Sequence, residues 1–182
     1  MTSMTEQRYL LIKLAEESSE ISQAVMESLN FGLSQFHDAE SVQKTVLLHN
    51  EINDLLAALD ELNMRFELDY KSNKETIRNE KRLLNGYAKN SQYLLLQLSS
   101  QACKLAQRTL KTIQFGLLEV YPLTNKTNQQ VLHEEIDKLM AIVELLNTHH
   151  HFNFTPNAEA INDKKEKMKH YFFYILRECE SV

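Results

Sequence analysis

Two short segments carry carboxylates at a spacing suited to holding a cation. The first is Leu14-Ala15-Glu16-Glu17-Ser18-Ser19-Glu20-Ile21 and the second is Glu51-Ile52-Asn53-Asp54-Leu55. Residues three or four apart on a helix share a face. Glu17 and Glu20 therefore form one pair, Glu51 and Asp54 another, and Glu16 lies close to Glu20. Like charges at this spacing weaken an isolated helix. Beside Leu14, Ile21, Leu48 and Leu55 they would repel strongly at low dielectric. A hard, oxygen-seeking divalent ion such as Mg²⁺ relieves that repulsion. The pairs contain no Cys or His, which argues against zinc. A single acidic pair is ordinarily a solvated helix face. Two pairs on consecutive helices of one antiparallel hairpin can instead face each other.

An internal repeat supplies a control. Slid along itself until Tyr9 falls on Tyr93, the sequence matches itself without a gap, Tyr9 to Asn63 against Tyr93 to Asn147. Tyr9-Leu10-Leu11 recurs as Tyr93-Leu94-Leu95, Phe31-Gly32-Leu33 as Phe115-Gly116-Leu117, and Leu48-His49 as Leu132-His133. The register continues through Glu75 and Glu159, Ile77 and Ile161, Lys81 and Lys165, and Tyr87 and Tyr171. At the acidic positions the second copy has Gln101, Lys104, Glu135 and Lys138, and Glu16 becomes Ser100. The apolar frame is kept while three of four carboxylates are lost. Acids needed for folding would be needed twice, so those of the first copy read as functional. His49 recurs as His133 and reads as a packing or hydrogen-bonding residue. Lys104 and Lys138 read as positive charge filling the second site near Glu135.

The elements that must position these residues are helices. Only 3 Gly and 2 Pro interrupt 182 residues, too few turns for a sheet protein. Leu11, Leu14, Ile21, Val25 and Leu29 recur at helical spacing and predict a helix over 7–30, with Gly32 ending it in a left-handed conformation. Leu48, Ile52, Leu55, Leu56, Leu59 and Leu62 predict a second over 42–64. Ser72-x-x-Glu75 suggests a capping box for a third, running to about Asn85. Copy two repeats the plan over 92–114, to about Asn147 after a Thr127-x-x-Gln130 box, and to about Glu178 after Thr155-Pro156. Loops are expected at 33–41, 65–72, 117–127 (with Pro122) and 148–155, the last holding His149-His150-His151 in a solvated turn. The expected fold is all-α, with repeats at 1–88 and 89–182 sharing one core.

Charge narrows the function classes. Residues 1–90 hold 10 Lys and Arg against 15 Asp and Glu, so the whole net charge of −5 belongs to the first half. A local acidic excess suits a cation site, and no basic stripe or tail suggests nucleic acid. Cys103 and Cys179 make no disulfide framework and suit a reducing compartment. Neither a signal peptide nor a membrane span is expected, which gives a soluble, cytoplasmic reading.

Glu-Glu-x-x-Glu on one helix, followed by Glu-x-x-Asp on the next, resembles the all-α nucleoside triphosphate pyrophosphohydrolases. That superfamily includes the MazG-like proteins, the dimeric dUTPases and the phosphoribosyl-ATP pyrophosphohydrolases. Lys13-Leu14-Ala15 and Asp54-Leu55-Leu56-Ala57 also resemble it. The resemblance implies Mg²⁺, with Mn²⁺ as alternative, held by Glu17, Glu20, Glu51 and Asp54. It implies cleavage of a nucleoside triphosphate between the α and β phosphates. Glu17 or Glu16 would activate the water, and Arg78 and Lys81 on the third helix would contact phosphate. Members are dimers or tetramers, so the two repeats would pack as a MazG-like pseudo-dimer, with further homo-oligomerisation open. Two alternatives remain: a non-catalytic helical nucleotide-binding, metal-binding or interaction module, and a phosphoribosyl-ATP pyrophosphohydrolase.

Overall fold

The computed structural model describes the backbone of residues 5–30, 39–121 and 124–180. Among the described residues six α-helices follow one another: α1 (Glu6–Asn30), α2 (Ala39–Phe66), α3 (Lys74–Leu84), α4 (Ser91–Phe115), α5 (Asn128–His150) and α6 (Ala158–Glu180). The expected all-α class and the three-helix plan of each copy are observed. The expected Gly32 stop, Pro122 and most of the 33–41 loop lie outside the described residues.

The apolar stripes read from the sequence form the core. Leu14, Ile21, Val25, Leu48, Ile52, Leu55 and Leu62 are almost wholly buried, as are Leu98, Leu105, Leu132, Ile136 and Leu146 of the second copy. These belong to one continuous hydrophobic cluster fed by both copies. Helix α1 packs along α4 and against α2, and α4 packs on α5. The third helices are exchanged: α3 lies on α5, and α6 lies on α2.

Reciprocal hydrogen bonds fix this exchange. His49 Nε2 donates to the Phe152 carbonyl at 2.9 Å, and His133 Nε2 donates to the Leu68 carbonyl at 2.8 Å. A carbonyl can only accept, so Nε2 carries the proton in both rings. The Asn157 N–H donates to Asn53 Oδ1, as the Asn73 N–H donates to Asp137. Lys165 pairs with Asp60, as Lys81 pairs with Glu144. Each partner set is the other moved along the chain by one repeat. The connecting segments match as well: Glu67 and Asp69 adopt positive φ, and so do His151 and Asn153. Each such non-glycine residue costs energy that surrounding contacts must hold in place. The fully buried Leu68 and Phe152 between them supply those contacts.

Several local expectations change. Asn73, not Ser72, caps α3, its Oδ1 accepting from the Glu75 and Thr76 N–H groups. Asn157, not Thr155, does the same for α6. An Asn side chain reaches the second and third amides from a β-region backbone, so its own segment outcompetes the upstream hydroxyl. The Thr127–Gln130 capping box forms as expected. Helix α5 runs past Asn147 to His150, so His149 and His150 lie in its last turn and not in a loop. His150 Nε2 donates to the Ala88 carbonyl at 2.7 Å, which ties that turn down. Within the expected 117–127 loop, Val120–Tyr121 and Lys126–Thr127 pair as two-residue antiparallel strands β1 and β2. Gly116 ends α4 with φ +94°, where a side chain would be strained.

Candidate metal centre

Helices α1 and α2 bring together the acids that the sequence singled out. Ligand oxygens of Glu17, Glu51 and Asp54 all lie within 4.8 Å of one another. Glu17 is 1% exposed, whereas Glu51 and Asp54 are half-buried. Packing dictates the depth of Glu17: it sits in the turn between Leu14 and Ile21, both fully buried on the same helix. Glu20 lies outside the close trio but near enough to raise the pKa of both Glu17 and Glu51. Glu16, next to Glu17, is exposed and paired with Lys13 at 2.7 Å.

The electrostatics are those of crowded, desolvated acids. Burial, opposed by the Lys164 ammonium and assisted by Glu20, pushes the Glu17 carboxyl up to about 7. Burial, with Glu20 and Asp54 beside it, also pushes Glu51 to about 7.

Lys164 on α6 is the residue that sequence reasoning missed. Its Nζ lies 2.9 Å from Glu17 Oε1 and 2.7 Å from Asp54 Oδ2. Burial works to lower its pKa, but the Asp54 and Glu17 carboxylates outweigh burial and raise it. The contact with Glu17 is an ion pair, and beyond it the two buried Glu17 oxygens have no hydrogen-bond donor aligned on them among the described residues. The Tyr9 hydroxyl, whose pKa is raised by burial and then by Glu16, is buried and unpartnered too. No signal along the chain marks Lys164, because it reaches the cluster only through the exchange of third helices.

Arg78 and Lys81, expected beside the acids, are not brought to them. Both line a cavity between α3 and α5 that none of the four acids touches, and Lys81 pairs with Glu144 at 2.9 Å. The physical reason is again the exchange, which carries copy one's third helix to copy two.

The equivalent place in copy two is chemically closed. Gln101 Nε2 donates to Glu135 Oε2 at 2.5 Å and to the Glu135 carbonyl at 3.0 Å. Lys138 Nζ donates to Glu135 Oε1 at 3.1 Å. Lys104, expected beside Glu135, is exposed, with no bond to it. Thus the one remaining carboxylate is bonded at both oxygens there, whereas in copy one the buried Glu17 shares the Lys164 ammonium with Asp54.

A buried carboxylate flanked by two more, with one ammonium shared between them, fits a divalent cation held by oxygen donors. Among the described residues no helix is long and apolar enough to cross a membrane. Compared with family models, with characterised proteins and with solved structures, the chain matches none.

Proposed function

We propose that this chain is a Mg²⁺-dependent nucleoside triphosphate pyrophosphohydrolase with one catalytic site, built as a MazG-like pseudo-dimer whose second copy keeps the frame without the metal site. The observation that carries the reading is the contrast between copies. In the first the buried Glu17 has the Lys164 ion pair and two neighbouring acids, while in the second both carboxylate oxygens of Glu135 are bonded to neutral or cationic donors.

In this reading Glu17, Glu51 and Asp54 hold the ion, Glu20 adds charge beside them, and Mn²⁺ is the alternative metal. When bound, the ion would supply charge neutralisation for the phosphates and for the leaving pyrophosphate. Glu17, inside the cluster, or Glu16, on its solvent side, accepts a proton from the attacking water. Lys164 stands in for the cation in the metal-free protein by neutralising Glu17 and Asp54. Its flexible four-carbon stem lets the ammonium turn from carboxylate toward phosphate. Arg78 and Lys81 have no part in this site.

A second reading, a non-catalytic binding module, is favoured by the same Lys164. An ion pair that already neutralises the acids could be the whole purpose of the cluster. A panel of ribo- and deoxyribonucleoside triphosphates, incubated with and without Mg²⁺, separates the two. Metal-dependent release of pyrophosphate and monophosphate together supports the hydrolase. Release of single phosphate contradicts cleavage between α and β, and no turnover on any member supports the module.

A further inference from the structure

The cavity between α3 and α5 is a site in its own right. It has a volume of about 770 Å³, within the range of pockets that take small ligands. Lys74, Arg78, Lys81 and Arg82 line it, opposed by one carboxylate, Glu144. Lys81 is the only one of the four that Glu144 engages; among the described residues Lys74, Arg78 and Arg82 have no carboxylate partner. Ile77 and the buried Leu145 add an apolar floor.

The internal repeat again provides the comparison. Moved along by one repeat, the same wall on α6 and α2 carries Lys165, Lys169 and Arg65 against Glu166, Asp60 and Glu61, and Lys169 pairs with Glu166. There Lys165 pairs with Asp60, and Arg65 pairs with Glu61 and Glu6. Leu145 stands where that wall has Glu61, and Arg82 where it has Glu166. One wall is therefore charge-balanced, and the other carries three more positive charges than negative in a chain whose net charge is −5. Unpaired cations facing one cavity recognise a compact polyanion.

We propose that this cavity binds a small oligophosphate-bearing molecule, without a divalent ion, through Lys74, Arg78 and Arg82, with Lys81 held back by Glu144. The site is separate from the acidic cluster and does not rest on the hydrolase reading.

Calorimetric titration of the full chain with inorganic triphosphate and with pyrophosphate, in chelator, tests it. Saturable binding is expected, weakening as salt rises. Arg78→Glu should weaken it at least ten-fold with helicity unchanged, because that side chain is exposed. Glu144→Gln, which frees Lys81, should tighten it, a gain that misfolding does not produce. Asp54→Asn should leave it unchanged. The proposal is overturned by absence of binding at millimolar triphosphate, by equal binding in Arg78→Glu, by loss in Asp54→Asn, or by binding of an RNA strand alone.

Discussion

Glu17 and Glu51 hold protons that a solvated carboxylate would have lost, and this sets how the metal-free protein responds to pH. Each is raised from the usual 4.5 to about 7, first by burial. The folded state thus binds more protons than the unfolded chain between those values. The stabilisation is fully present below about 4.5 and is lost as pH rises through about 7. Burial lowers the pKa of His49 and His133, which act in the opposite sense, losing stability as pH falls through their usual 6.5. In chelator, thermal melts should therefore fall between pH 6 and 8, and fall less in Glu51→Gln. Ligands must be deprotonated to bind a cation, so added Mg²⁺ should raise the melting temperature more at pH 8 than at pH 6. An equal effect at both would contradict the assignment. The acids were legible from their spacing and from their loss in copy two. Lys164 was not, because its contact with Asp54 spans 110 residues between helices that no local pattern pairs.

At the scale of elements, the segments between second and third helices carry more than their length suggests. Phe152 is 1% exposed, covers the His49 ring edge-on at 4.6 Å, and lends its carbonyl to the same ring. Truncating a buried aromatic of this kind costs about 3–5 kcal/mol. Phe152→Ala should lower chemical-denaturation stability by that order, and a loss below about 1 kcal/mol would contradict its role as the clasp between copies. Helix lengths and faces followed from the 3.6-residue period of the α-helix, and the Thr127 cap from its box. The exchange did not follow, since periodicity shows which face is buried and not which helix covers it. Of the basic face of α3 only Arg78 and Lys81 were expected, from the resemblance; Lys74 and Arg82, which complete one helical stripe with them, are averaged away in a net charge taken over half the chain.

For the whole molecule, duplication separates what the fold needs from what the site needs. Both copies keep the apolar frame, the histidine clasp and the asparagine caps. They differ where chemistry is proposed. Copy one has three close acids, the buried Glu17 among them, where copy two has a sealed counterpart, and a cationic cavity lies where α3 of copy one meets α5 of copy two. Glu51 and Glu135 occupy the same position in the two copies, which makes them a matched pair. The decisive measurement is Mg²⁺-dependent pyrophosphate release by the wild type, Glu51→Gln and Glu135→Gln, with helicity checked in each. Release should fall on the order of 100-fold in Glu51→Gln, as for a lost metal contact, and stay near wild type in Glu135→Gln. Equal losses in the two variants, or no Mg²⁺-dependent release from the wild type, would contradict the proposed function.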